Sequence, residues 1–318
     1  MNKLIVAASP HLQDGSTTRR IMLDVIIALI PAVIAATVFF GPRVILVVGV
    51  TISAAVLAEV VSRRLMKRDI TSIGDLTAVI TGLLLALSLP VTIPLWMAAV
   101  GAAVAIVIVK QFFGGVGQNF VNPAITGRLV LMFSYPIATN ASWVAPFAYL
   151  DRSVDGITSA TPLVLVATGQ ETVGWLALFL GNHAGSMGET SILAILLGAG
   201  YLLWRRVISP IIPFTFVVTT AAIVILAGQN PLTHLMTGSL LFVTVFMATD
   251  YATSPINRKG KIVFGVGCGA ITALIRLFGA LPEGVSFAVL IMNILVPHIE
   301  HLTMPKAFGQ SSRRKVRP

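Results

Sequence analysis

Few side chains in this 318-residue chain are equipped for chemistry, and their scarcity narrows what it can do. The one cysteine, Cys268, offers a single thiolate where an iron–sulfur cluster needs four, so it reads as a small core residue. Gly115-Val116-Gly117-Gln118-Asn119-Phe120 begins like a dinucleotide fingerprint. It ends in Phe and follows an apolar run rather than a strand, so no NAD site is expected in this chain. His298, Glu300 and His301 fall close together on a helix face, a spacing that suits metal ligands, although a solvated helix end explains them more simply. The polar segment Asp155-Gly156-Ile157-Thr158-Ser159-Ala160-Thr161-Pro162 lies in one long polar loop, and nothing in its spacing alone makes a cofactor site. By spacing alone, Thr161-Pro162 is a helix N-cap with proline at the first helical position, ahead of Leu163 to Ala167.

The elements that position these residues are apolar. Hydrophobic residues make up 56% and charged residues 11% of the chain, against about 45 to 50% and about 25% in soluble domains. Segments this apolar, without strand-like alternation, imply membrane-spanning helices. Ten spans are expected, over 21–40, 43–62, 74–90, 92–110 and 124–137, then 190–208, 211–228, 233–249, 260–279 and 284–300. Residues 162–181 are apolar but interrupted by Gly169, Gln170 and Glu171, and are expected to form re-entrant or interfacial pieces. The expected fold is an all-α integral membrane protein. Its organisation is a cytoplasmic segment over 1–20, a five-span half over 21–137, an extracytoplasmic loop over 138–189, a second half over 190–300 and a basic tail over 301–318.

Two internal patterns refine this plan. Leu76-Thr77-x3-Thr81-Gly82-x-Leu84-Leu85 recurs as Leu232-Thr233-x3-Thr237-Gly238-x-Leu240-Leu241, at the third span of each half. With five spans per half the two copies lie upside down relative to each other, the inverted repeat of a channel-like bundle of the urea-transporter kind. Charge supplies the orientation. Of the 22 Lys and Arg residues, Arg43 and Arg152 fall on one side and Arg128 and Arg276 within spans, while the rest share the other side. The positive-inside rule puts that side, with both termini, in the cytoplasm. A net charge of +10 spread over loops in this way is a topology signal, so no nucleic-acid partner is expected, and Arg313 to Arg317 suit anionic lipid. Leu4 to Ala8 is too short for a secretory h-region.

A basic residue at the bilayer centre costs about 2.5 to 3.5 kcal/mol. Arg128 is expected to snorkel to the cytoplasmic end of its span. Arg276 is expected to snorkel outward or to meet an anionic group outside. In the turn Lys110 to Ala124, clustered glycines suit unusual torsions. Asn122-Pro123-Ala124 reads as a cap with proline at the first helical position, with ligand contact by Asn119 or Asn122 as the other reading.

Read together, Ser9-Pro10-His11 with Ser16-Thr17-Thr18-Arg19-Arg20-Ile21-Met22, the Gly114 to Ala124 turn, Asp155 to Pro162, Gly188-Glu189-Thr190-Ser191, Ala248-Thr249-Asp250 and the Arg276 region resemble the D subunit of the Rnf electron transport complex. The related B subunit of the sodium-translocating NADH:quinone reductase shares the architecture but usually has a longer cytoplasmic N-terminal segment. In that family a threonine ending a Ser/Gly-Ala-Thr motif carries FMN through a phosphoester, and the matching residues are Ser159-Ala160-Thr161. The resemblance therefore implies covalent FMN on Thr161, an attachment loop of Asp155, Gly156, Thr158, Ser159 and Ala160, and neighbouring contacts from Asn119, Asn122 and Arg276. It implies a second, non-covalent riboflavin whose site the sequence does not locate. Electrons would pass between ferredoxin and NAD+ through partner subunits bearing iron–sulfur clusters and flavin, coupled to Na+ or H+ export across a bacterial or archaeal plasma membrane. A B-type subunit, a cofactor-free solute channel on the same repeat and a purely structural subunit are the competing readings.

The charge pattern makes a direct prediction. With Cys268 replaced, a cysteine at Asn140 should react with a membrane-impermeant thiol reagent in intact cells and one at Lys259 should not. The reverse pattern would invert the topology.

Overall fold

The computed structural model describes residues 17–68, 74–140, 143–150, 160–168, 174–279 and 283–305. Asp155, Gly156, Thr158 and Ser159 lie outside them. The first half contains α1 (Thr18–Phe40), α2 (Arg43–Leu65), α3 (Thr77–Leu87), α4 (Leu95–Val104) extended by a π-helical segment (Ala105–Gln111), α5 (Pro123–Ser134) and α6 (Pro136–Asn140). Two short helices follow, α7 (Pro162–Ala167) and α8 (Trp175–Leu180), in the stretch expected to be re-entrant or interfacial. The second half contains α9 (Ile192–Trp204), α10 (Ile211–Leu226), α11 (Pro231–Met236), α12 (Leu240–Phe246), α13 (Arg258–Phe278) and α14 (Val285–Thr303).

Among the described residues, α1, α2, α13 and α14 are long and apolar enough to cross a membrane by themselves. They turn large side chains such as Ile34, Leu46, Leu57, Leu274 and Ile294 outward, as a lipid-facing surface requires. Others are shorter than the sequence suggests. The expected third span over 74–90 is an 11-residue helix reaching about 16 Å, half of a bilayer core near 30 Å. It starts after Leu76 in the left-handed region, at φ 67°, and ends at Ser88-Leu89, where Pro90 disfavours a helical predecessor. The expected eighth span is broken between α11 and α12 at Thr237-Gly238-Ser239, with Gly238 at φ 68°. The repeated sequence motif therefore adopts two structures. Thr81-Gly82 lies inside continuous α3, where the glycine lets the backbone of Ile52 on α2 approach closely, while Thr237-Gly238 forms the break.

The packing runs in parallel in the two halves. Helix α2 packs on α3 and α4, and α10 on α12 and α13; α4 packs on α5, and α13 on α14; α3 meets α5, and α12 meets α14. Contacts of α1 with α9 and of α5 with α14 join the halves. Small residues allow these close crossings. A Cβ at Gly127 of α5 would stand 2.8 Å from the Gly101 carbonyl oxygen of α4. The α1–α9 crossing depends on Gly198 in the same way, since a Cβ there would overlap the Ala28 carbonyl oxygen and meet Phe246.

Gly198→Ala should accordingly lower the thermal midpoint of the purified protein, by overpacking worth about 1 to 3 kcal/mol. Gly200→Ala, two residues along the same helix with nothing within 4 Å of its Cβ, should not lower it. Equal effects from the two would contradict the packing.

Candidate functional site

Thr161 adopts extended torsions, φ −70° and ψ 150°, and caps α7 by accepting from the Val164 N–H at a long 3.4 Å. Pro162 stands at the first helical position, as the spacing implies. Thr161 is half-buried and Ala160 beside it exposed. Among the described residues the hydroxyl is thus held by one long bond, at a helix start on the edge of a cavity of about 210 Å³. His183, Glu189, Gly238 and Glu283 share the lining of that cavity with Thr161.

Behind this wall lies a buried charged cluster. Arg276, only 7% exposed, donates to the carbonyl oxygens of His234 and of Thr237, the latter at 3.1 Å. These carbonyls belong to the end of α11 and the helix break. Gly238 is packed against the same guanidinium, and any side chain there would crowd it. Arg128, 6% exposed, pairs with Glu283, which also accepts from the Ser239 hydroxyl. Glu189, 6% exposed, accepts from the Ser186 N–H at 2.9 Å through one oxygen. Its other oxygen, the Ser186 hydroxyl and the Thr190 hydroxyl have no hydrogen-bond partner among the described residues. His183 places its two ring nitrogens 3.1 Å from the carbonyl oxygens of Ala184 and Thr190, positions that accept one N–H from a neutral ring and two from an imidazolium.

A second cavity, of about 520 Å³, lies apart from Thr161. Ile21, Leu84 and Phe246 give it apolar walls, and Lys110, Asn119 and Asp250 a polar edge. Lys110 Nζ bonds Glu59 at 2.9 and 3.1 Å and also reaches the Thr77 hydroxyl. Gln111 Nε2 and Arg63 Nε donate to the same fully buried carboxylate at 2.9 and 3.3 Å. The π-helical segment ends here, with the Phe112 N–H bonded to the Val107 carbonyl. Such insertions are frequent at functional sites.

Several expectations change. Arg128 does not snorkel to the cytoplasmic end: an ion pair with Glu283 holds it inside the bundle. Arg276 does not snorkel either: it is buried and donates to the carbonyls of the helix break. Lys110, assigned from sequence to the loop charges, is buried against Glu59. Asn119 and Asn122 line the larger cavity, not that of Thr161. The Asn122 amide is also committed, its oxygen capping Ala124 and Ile125 at 3.0 and 3.2 Å and its nitrogen donating to the Met247 carbonyl. The turn glycines do take unusual torsions, with Gly114, Gly115 and Gly117 at φ 126°, 106° and 79°. Glu59, Glu283 and His183 fall in no motif singled out from the sequence, and Glu189, though within the Gly188 to Ser191 motif, has no role implied there. A usable signal exists, because the chain has only 12 Asp and Glu residues and Glu59 lies within an apolar span.

A model of the NQR2, RnfD, RnfE family matches residues 5–309. The chain is 41% identical to the D subunit of the Na(+)-translocating ferredoxin:NAD(+) oxidoreductase complex of Acetobacterium woodii, an alignment covering 98% of this chain and 97% of that protein. It is 39% identical to the D subunit of the proton-translocating ferredoxin:NAD(+) oxidoreductase complex of Clostridium ljungdahlii, covering 97% of each. It is 38% identical to the D subunit of the ion-translocating oxidoreductase complex of Sodalis glossinidius, covering 96% of this chain and 98% of that protein.

Arg276→Ala should leave two carbonyls at the break without their donor, at about 1 to 3 kcal/mol each, and strand the neighbouring carboxylates. A markedly lower thermal midpoint in detergent is the expected result, partly restored by Arg276→Lys, which returns the charge without the planar fork. An unchanged midpoint for Arg276→Ala would show that the break is held by other contacts.

Proposed function

The chain belongs to the NQR2, RnfD, RnfE family, and from that membership we propose that it is the D-type membrane subunit of an ion-translocating ferredoxin:NAD+ oxidoreductase, with FMN joined to Thr161 by a phosphoester. The multiple apolar helices and the relatives agree on an integral membrane protein. The observation that carries the flavin assignment is the setting of Thr161. Among the described residues its hydroxyl has one long hydrogen bond, and it sits at a helix start and borders both exposed Ala160 and a cavity.

These residues fit a tether better than an enclosing pocket. A cavity of about 210 Å³ falls below the roughly 300 to 1,000 Å³ of sites that enclose a ligand of that size. Thr161 would hold the phosphate end while the ring lies at the protein surface. FMN, when bound, supplies electron-transfer chemistry, and the chain supplies its position and electrostatics. Asp155, Gly156, Thr158 and Ser159 are assigned to the attachment loop from sequence. A second, non-covalent flavin, riboflavin, is assigned to the larger cavity. Its volume of about 520 Å³ and its apolar walls with a polar edge suit a planar ring.

With one cysteine in the sequence, the electron donors and acceptors belong to partner subunits bearing iron–sulfur clusters and flavins. Electron flow is coupled to Na+ or H+ export across a bacterial or archaeal plasma membrane, with both termini cytoplasmic and residues 138–189 outside. The matched packing of the two halves supports reading them as inverted five-helix repeats.

In a host that supplies the flavin-attaching enzyme, the band of this chain on a denaturing gel should fluoresce under ultraviolet light. Thr161→Ala should abolish that fluorescence at normal protein abundance, because the lost cap costs only about 0.5 to 2 kcal/mol. Thr158→Ala should keep it. Covalent flavin on the Thr161→Ala protein would move the attachment point elsewhere.

A further inference from the structure

We infer that His183 takes up a proton when FMN is joined to Thr161, so that its imidazolium answers the charge of the phosphodiester and staples the turn before α9 at both ends. The inference rests on the tether proposed above. The turn runs from Gly181, which ends α8 at φ 109°, to Ser191, which caps α9. His183 lies within it, 4% exposed, with Nδ1 3.1 Å from the Ala184 carbonyl oxygen and Nε2 3.1 Å from that of Thr190. A neutral ring carries one N–H, so it satisfies one carbonyl and turns a lone pair on the other. An imidazolium donates to both. The ring is therefore placed to bind a proton wherever its surroundings tolerate the charge.

In the unmodified chain the surroundings disfavour it. Burial holds the His183 imidazole below the usual histidine range, against the two carbonyls, which raise it. The fixed charges nearby cancel, since Glu189 on the same turn and Glu283 ahead of α14 are offset by Arg128 on α5 and Arg276 on α13. The other elements around the turn add no charge beside it. Helices α3, α7, α8, α9 and α12 carry no charged side chain. Helix α1 meets the turn at Phe39, whereas Arg19, Arg20 and Asp24 lie toward its other end. On α11, which packs against α8, His234 is bonded to Gln229.

Attachment changes this balance. A phosphodiester on Thr161 would place one negative charge on the wall of the cavity that His183 also lines. Among the described residues of that lining, His183 is the one able to become positive. A proton on Glu189 would answer the charge but not the hydrogen bonds, because its second oxygen has no partner among the described residues to receive an O–H. At His183 an acceptor is already waiting, the carbonyl that a neutral ring leaves without a donor. The proton comes from the medium, one for each flavin attached.

The test compares thermal midpoints of the purified complex in detergent between about pH 8 and about pH 5.5, on either side of an ordinary histidine pKa. A histidine whose folded pKa is raised stabilises the fold at low pH and loses that effect as pH rises through it, whereas a depressed one costs stability as pH falls. The wild-type midpoint should therefore exceed that of Thr161→Ala by a margin that widens on acidification. Between His183→Gln and the His183→Gln, Thr161→Ala double variant the margin should not change with pH, because glutamine donates without gaining charge. A wild-type margin constant in pH would overturn the inference, and that arm needs no His183 variant to assemble. A widening margin that survives His183→Gln would overturn it too, by placing the proton on another group such as Glu189. Flavin fluorescence on the wild-type band is read in parallel. Its absence would sink the tether itself, whereas its presence with a margin constant in pH would sink only the proton site.

Discussion

A helix that breaks inside an apolar layer exposes carbonyl oxygens that water cannot reach, and much of the second half of this protein answers that constraint. The break at Thr237-Gly238-Ser239 is met by the guanidinium of Arg276, which reaches it from α13. A buried guanidinium in turn needs negative charge nearby, and Glu283 and Glu189 stand within electrostatic reach of it. Glu283 then draws in Arg128 from α5, tying the first half to the second. One backbone interruption thus accounts for three buried charges and a half-buried fourth, and for a contact between the halves.

The first half solves a comparable problem with different parts. Helix α3 stops short instead of breaking, and the charged node lies between α2 and the π-helical segment after α4, where Glu59 gathers Lys110, Gln111 and Arg63. Each node stands next to a cavity, Lys110 lining the larger and Glu189 and Glu283 the smaller. Removing one partner from such a buried network typically costs about 3 to 5 kcal/mol. The two nodes are therefore expected to be the stiff points of the bundle, and the short helices α6, α7 and α8 its more adaptable parts.

What the sequence discloses depends on how local the physics is. Apolar run length discloses the membrane class, and Asn122-Pro123 and Thr161-Pro162 disclose their helix starts, because capping involves only neighbouring residues. Repeated Thr-Gly pairs disclose corresponding positions but not their structures. Gly82 accommodates the backbone of α2, whereas Gly238 accommodates Arg276 from α13, and those neighbours are distant in sequence. Arg128 escapes a local reading for the same reason, its partner Glu283 lying 155 residues away. Around Thr161 the sequence marks Arg276 and the Gly188-Glu189 motif but not their neighbourhood, since Glu283 lies far along the chain from His183 and Glu189 and joins them only in the folded cavity lining.

The central claim is that Thr161 bears a covalent flavin. The most direct measurement is mass spectrometry of the peptide containing Thr161, from protein made in a host with the attaching enzyme. The account predicts a mass increase equal to FMN less one water, with fragmentation placing it on Thr161. An unmodified Thr161, with the increase on Thr158, Ser159 or nowhere in the chain, would contradict it.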